Sequence, residues 1–241
     1  KMGAQIHGYG NSKITIDGVE KLSGCKHKVI PDRIEAGTFL IASAATLSNI
    51  TIGPVIPNHL ECVLETLKET GSKIYIKGNE ITIKTKEIKA VNIKTAPFPG
   101  FPTDLQAPFT ALMTIAKGNS EISETIYENR MGHVDLLNSM GASIKLVNNI
   151  AKIQGVDELK GQNLKGSDLR STAALIIAAL SAKDTSYIGG LEHLDRGYDC
   201  FESKLNTLGA NITRNFNEQI FFNQTIVDEK ISINIEKLKA A

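Results

Sequence analysis

The chain has 241 residues, 41% of them apolar, and a net charge of +1 from 27 Lys+Arg against 26 Asp+Glu; this suffices for one large domain or two small ones of ordinary globular character. No Lys/Arg-rich block and no basic stripe with interleaved aromatics occurs, so the electrostatic footprint of a nucleic-acid binder is missing. The longest apolar run, Ala173 to Leu180, is too short to cross a bilayer, and no charged-then-apolar leader pattern opens the chain; a cytoplasmic protein with neither membrane nor nucleic-acid partner is expected.

Taken from its N-terminus, the chain repeats itself. A Gly-small-x-Ile signature occurs at Gly3-Ala4-Gln5-Ile6, Gly71-Ser72-Lys73-Ile74, Gly141-Ala142-Ser143-Ile144 and Gly209-Ala210-Asn211-Ile212, at spacings of 68, 70 and 68 residues. Asn11, Asn79, Asn149 and Asn217 each follow the Gly by eight positions. At these points an apolar alternation reverses, and Gly10-Asn11, Gly78-Asn79 and Asn148-Asn149 supply the left-handed conformations of tight hairpin turns. Four hairpins are expected. Residues 1–26 read as the end of a preceding repeat with its closing hairpin, because Lys1-Met2-Gly3-Ala4 parallels Ser139-Met140-Gly141-Ala142; a unit or domain before Lys1 is expected.

Three units follow, at about 27–94, 95–160 and 161–223. Each opens with a short strand (28–30, 90–94, 163–165) leading to an Asp at a helix start: Asp32, Asp104 or Asp168. The next helix is apolar all round (38–47, 109–116, 172–182), so it has no face for solvent. A second strand (49–52, 121–126, 185–188) and an amphipathic helix (58–70, 134–140, 198–208) lead back to the signature Gly, well placed as a helix C-cap. The unit is βαβαββ and the class α/β (α+β), with the apolar helices buried together at the centre. Residues 224–241 fall outside the repeat and alternate Ile with charge.

The second unit holds the stretch that organises the rest, Phe98 to Gly118. Its prolines, Pro99 and Pro102 after Pro97, force extended backbone before the helix begins. Thr103 or Asp104 can cap that helix, and Pro108 fits its first turn. If the units are related by a pseudo-threefold axis, the buried helices run parallel and their N-termini converge into an anion-attracting end.

Only five of the 27 cationic residues are Arg, the side chain suited to a two-toothed grip on carboxylate or phosphate. Arg33 and Arg170 stand beside two buried-helix N-termini, and Arg130 and Arg196 follow the second strands of units two and three. N-capping alone explains Asp32, Asp104 and Asp168; the proline brace around Asp104 is equally what a positioned general base needs. Cys25, Cys62 and Cys200 lack disulfide or zinc spacing and read as buried or idle thiols. The five His show no metal spacing, and no nucleotide-binding Gly-rich motif is present. Neither metal nor cofactor is expected.

Several segments resemble the enolpyruvyl transferase family, in its UDP-N-acetylglucosamine branch: Pro31-Asp32-Arg33-Ile34-Glu35, Thr95-Ala96-Pro97 with Phe101-Pro102-Thr103-Asp104-Leu105-Gln106, Glu124-Thr125-Ile126-Tyr127-Glu128-Asn129-Arg130, Ser167-Asp168-Leu169-Arg170 and His193-Leu194-Asp195-Arg196-Gly197-Tyr198. The resemblance runs to about Asn223 and implies an inside-out α/β barrel domain of three βαβαββ repeats. It also implies a reaction of peptidoglycan synthesis, in which the 3-hydroxyl of UDP-N-acetylglucosamine adds to phosphoenolpyruvate and phosphate leaves. Asp104 matches the carboxylate that takes the hydroxyl proton and contacts the sugar, and Ile126 a backbone contact to the UDP-sugar. Arg130, Arg170 and Arg196 match cations around the phosphoenolpyruvate anion, with Arg33, Asp168 and Glu128 in support. The family's N-terminal Lys-Asn pair and Cys-bearing loop have no match here, so the chain is expected to be one domain, inactive alone, of a larger enzyme whose N-terminal domain is its partner. A shikimate-type enolpyruvyl transferase and a non-catalytic module are the alternatives.

Overall fold

The structure, a computed structural model, describes residues 1–221 and 224–233. The chain forms two compact units, Lys1–Pro31 and Asp32 onward.

The first unit is a short antiparallel ribbon of β1 (Gln5–His7) and β2 (Thr15–Asp17), with Gln5 opposite Asp17. Its strands are joined by a wide loop rather than the tight turn expected at Gly10-Asn11; Gly8 and Gly10 both take positive φ there. The strand expected at residues 28–30 does not form. A strand exists only as part of a hydrogen-bonded ladder; no partner is present for this segment among the described residues, and Val29 and Ile30 are exposed.

The second unit carries the three repeats. The first contains α1 (Arg33–Ala45), β3 (Asn49–Ile52), α2 (Glu61–Glu69) behind a 3-10 turn at Pro57–Leu60, β4 (Lys73–Lys77) and β5 (Glu80–Lys84). Next come β6 (Ile93–Lys94), a 3-10 turn at Thr103–Leu105, α3 (Gln106–Met113), β7 (Asn119–Ser123), α4 (His133–Ser139), β8 (Ser143–Val147) and β9 (Ile150–Gln154). The last contains β10 (Asn163–Lys165), α5 (Leu169–Ser181), β11 (Ser186–Gly189), the short α6 (Leu191–Leu194), α7 (Phe201–Thr207), β12 (Ile212–Phe221) and β13 (Gln224–Ile233).

The second and third sheets share one topology, β6-β7-β9-β8 and β10-β11-β13-β12, and the first, β3-β5-β4, has the same order without a leading strand. In the second and third, the leading strand is parallel to its neighbour and the hairpin antiparallel to it. A parallel neighbour needs a crossover, and the apolar helix of each unit supplies it. Lys77 pairs with Glu80 and Val147 with Ile150 across the expected two-residue turns, entered at positive φ by Gly78 and Asn148.

The fourth hairpin departs from expectation. β12 runs straight through Asn217, which pairs with Asp228, so no turn occurs there. Residues 224–233, placed outside the repeat by sequence, form β13 and close the third sheet. Asn217 lacks a turn partner of the kind that Gly78 and Asn148 provide; its neighbours Phe216 and Glu218 can continue a strand. The rest of the tail, 234–241, lies outside the described residues.

Helices α1, α3 and α5 pack on one another, and nearly every residue of each is buried. Each fully enclosed Leu or Ile contributes about 2 kcal/mol from apolar surface removed from water. Close approach has a local cause at Gly37 of α1, where an added Cβ would lie 2.4 Å from the Leu105 side chain.

Candidate active site

The starts of the three buried helices carry different residues, and the structure separates their roles. Asp32 accepts from the Ile34 amide at 2.7 Å and caps α1. Asp168 caps α5, accepting from the amides of Arg170 and Ser171 at 2.8 and 3.0 Å, while the Ser171 hydroxyl accepts in return from the Asp168 amide. Burial would raise the Asp168 carboxyl, but these amides outweigh it and hold it below the ordinary carboxylate value.

Asp104 caps nothing. It sits inside the 3-10 turn ahead of α3, and its carboxylate lies between two guanidinium groups: Oδ1 accepts from Arg130 Nη1 and Oδ2 from Arg170 Nη2, each at 2.7 Å. Burial pushes its pKa up, yet the hydrogen bonds and charges of Arg170 and Arg130 prevail and keep it lowered. The cap expected from sequence is replaced by an ion-pair triad, because the proline-braced turn points the carboxylate away from its own helix.

Each arginine has a second hold. Arg130 Nη1 also donates to the Thr103 hydroxyl at 2.9 Å, and its guanidinium lies 4.7 Å from the Tyr127 ring centroid. Arg170 Nη1 donates to the Tyr198 hydroxyl at 3.3 Å, which bonds Thr38 of α1 at 2.8 Å. Expected to begin a helix, Tyr198 is instead buried at 2% exposure ahead of α7 and links Thr38 of α1 to Arg170 in the first turn of α5. Burial pushes its phenol above the ordinary value, which keeps it neutral.

The other candidates lie outside this triad. Arg33 stacks over the Phe98 ring, 5.5 Å from its centroid. Arg196 is exposed, two residues before Tyr198, and Glu128 is exposed on the loop before Arg130; neither side chain makes an ion pair or hydrogen bond among the described residues. The fifth arginine, Arg214, pairs with Asp195 and Glu202. Ile126 is half exposed, and its amide donates to Glu124 at 2.7 Å, leaving its carbonyl as the group open to a ligand.

Glu124 is the residue that sequence reasoning passed over. It is 3% exposed and accepts four hydrogen bonds from the side chains of Thr95 and Thr103 and the amides of Ile126 and Tyr127. The signal was present, since Ser120, Ile122 and Glu124 are alternate positions on one strand face and the first two are buried. Cys25 and Cys200 are exposed rather than buried. Burial pushes the Cys62 thiol up, and Asp199 does the same to Cys200, so neither is an activated thiolate. Among the described residues no group of three or more His, Cys, Asp or Glu could hold a metal ion, and no helix is long and apolar enough to cross a membrane.

Such a site can bind an anion between guanidinium groups at converging helix starts, beside a carboxylate that stays ionised. The sequence profile described as EPSP synthase (3-phosphoshikimate 1-carboxyvinyltransferase) matches residues 1–205. Proteins named UDP-N-acetylglucosamine 1-carboxyvinyltransferase from Prochlorococcus marinus strains MIT 9312 and AS9601 are 66% and 64% identical over all 241 residues. The chain spans about half the length of these relatives, 53% in both cases. Among solved structures, the enolpyruvyl transferase NikO from Streptomyces tendae aligns with 87% of this chain and 51% of its own at a TM-score of 0.77 and 26% identity. EPSP synthase from Acinetobacter baumannii aligns with 86% of this chain and 64% of its own at a TM-score of 0.55 and 14% identity, a likeness of fold alone. Profile, relatives and fold converge, and the chain belongs to the EPSP synthase (3-phosphoshikimate 1-carboxyvinyltransferase) family.

Proposed function

We propose that this chain forms one half of an enzyme that transfers the enolpyruvyl group of phosphoenolpyruvate to the 3-hydroxyl of UDP-N-acetylglucosamine, releasing phosphate, in the cytoplasmic synthesis of peptidoglycan. The observation that carries the reading is the Asp104 carboxylate held between Arg130 and Arg170 in a chain whose relatives bear that activity in their names. The second domain of the enzyme is its structural partner, and the three repeats form an inside-out barrel around α1, α3 and α5.

Arg130 and Arg170, joined by Arg196 when substrate is present, bind the phosphate and carboxylate of phosphoenolpyruvate. Arg33 and Asp168 support the helix ends, and Glu128 sits on the loop that bears Arg130. The Ile126 carbonyl accepts from the UDP-sugar. As the substrate anion takes up the guanidinium groups, the Asp104 carboxylate loses the partners that lower its basicity and becomes free to accept the proton of the sugar hydroxyl. The hydroxyl oxygen bonds to C2 of phosphoenolpyruvate while C3 gains a proton from an acid on the other domain. Loss of a C3 proton then expels phosphate and restores the double bond.

Asp104→Asn in the full-length protein is expected to lower turnover by at least about a hundredfold, the scale of a lost general base, with a much smaller effect on UDP-sugar binding. Phosphate release assayed with UDP-N-acetylglucosamine and with shikimate 3-phosphate checks both points. Near-normal turnover in the variant would reduce Asp104 to a structural anchor, and preference for shikimate 3-phosphate would move the chain to the other branch of its family.

A further inference from the structure

A carboxylate buried as deeply as Glu124 ordinarily takes a cation as partner or gives up its charge. Glu124 does neither. Burial acts to raise its pKa, but the amides of Ile126 and Tyr127 and the hydroxyls of Thr95 and Thr103 outweigh that and keep it lowered. Four neutral donors hold the charge, so neither site guanidinium is spent on it.

The consequence lies in the direction of two hydroxyl groups. An ionised carboxylate can only accept hydrogen bonds. Thr103 must therefore give its proton to Glu124 Oε2, at 2.8 Å, and turn its lone pairs outward, where Arg130 Nη1 donates to them at 2.9 Å. Thr95 does the same through Oε1 at 2.8 Å, and its oxygen accepts from the Thr125 amide at 2.8 Å. One buried charge thus ties the loop leading to Arg130 to the turn that bears Asp104.

We infer that Glu124 is a positioning residue of the site, which through the Thr103 hydroxyl holds the Arg130 guanidinium beside Asp104 in the orientation that receives the substrate anion. The inference rests on the proposed function only in naming that anion. In Glu124→Gln the amide nitrogen that faces Thr103 is a donor, so the Thr103 proton must turn toward Arg130, where a positive group already donates.

The test follows rotation of the Arg130 guanidinium about its Cζ–Nε bond by side-chain nitrogen NMR in the 241-residue chain, with no substrate present. Parent, Glu124→Gln, Thr103→Val and Thr103→Ser are compared. Loss of a charged hydrogen bond should speed rotation about tenfold in Glu124→Gln and Thr103→Val, while Thr103→Ser, which keeps the hydroxyl, behaves as the parent. An acceleration of less than about twofold in Glu124→Gln or in Thr103→Val, or a serine variant indistinguishable from the valine one, overturns the inference. If Glu124→Gln does not fold, the two Thr103 variants decide alone. Failure of the full-length enzyme to use phosphoenolpyruvate would sink the proposed reaction while leaving the Glu124–Thr103–Arg130 relay to be judged by these rates.

Discussion

At the scale of single residues, charge placement in this molecule depends on which donors surround each group. Asp104, Asp168 and Glu124 are all carboxylates of lowered pKa, held respectively by guanidinium groups, by helix amides, and by amides together with hydroxyls. Only the first combination brings guanidinium groups to the proposed anion site. His133 is the opposite case: it is buried, its Nε2 has no partner, and burial pushes its pKa down to about 4 against a weaker opposing effect from the Asp168 charge. The unfolded chain binds a proton there near pH 6.5 and the folded one does not. Stability from this group is therefore complete above about pH 6.5 and lost as pH falls toward 4. His133→Phe should remove about 2 kcal/mol of the stability difference between pH 7 and pH 4.5, read by urea unfolding at the two pH values. An unchanged difference would show that protonation is accommodated in the fold.

At the scale of elements, the outcome depends on whether a helix is judged alone or in contact. Gly37 lies inside α1, where replacement by Ala would stabilise an isolated helix by about 1 kcal/mol. Leu105, directly after Asp104 and fully buried, leaves no room: the new Cβ would meet its Cδ1 at 2.4 Å. Overpacking of this kind costs about 1–3 kcal/mol, so Gly37→Ala should destabilise the protein on balance. Because Leu105 belongs to the same turn as Asp104, the variant should also disturb the Asp104 carboxyl. Thermal unfolding checks the first point, and a higher melting temperature would show that Leu105 has space to yield. The order of strands and helices, apart from the missing leading strand of the first unit and the added α6 of the third, was legible from periodicity and turn residues, as were the two tight turns and the three apolar helices. Helix starts were less so, since α1 and α5 begin several residues before their apolar runs, at capping Asp residues whose hydrogen bonds extend the helix backward.

At the scale of the whole molecule, the repeat accounts for folding, and on the proposed reading the site accounts for only part of catalysis. The buried helices cover one another and a sheet of each repeat packs in the same strand order around its hairpin, so the 241-residue chain should unfold cooperatively by calorimetry. Mixed with UDP-N-acetylglucosamine and phosphoenolpyruvate, it should release no phosphate above background. In the proposed reaction, charge stabilisation and proton delivery are needed from both sides of a closed cleft, and the residues gathered here would supply one base and one set of cations. Steady phosphate release abolished by Asp104→Asn would show that the opposite side is dispensable.

What the sequence determined by itself was whatever is encoded locally and periodically. Three all-apolar helices had to be buried, glycine and asparagine had to turn hairpins, and scarce arginines in a lysine-rich chain pointed to a candidate anion site; the family resemblance added which reaction to expect. Tertiary structure decided what depends on direction. Asp104, Asp32 and Asp168 are alike in one dimension as residues before helices, and only the folded chain shows two of them turned back onto amides and one turned out between Arg130 and Arg170. Glu124 carries no mark in the sequence as a site residue, because the reach of a side chain to donors 21 to 29 residues away cannot be read along the chain. β13 likewise joined the third sheet because its partners lie across a ladder whose register only the folded chain defines. Local hydrogen bonding and hydrophobic period are properties of neighbouring residues; the pairing of a buried charge with its donors is a property of the packed molecule.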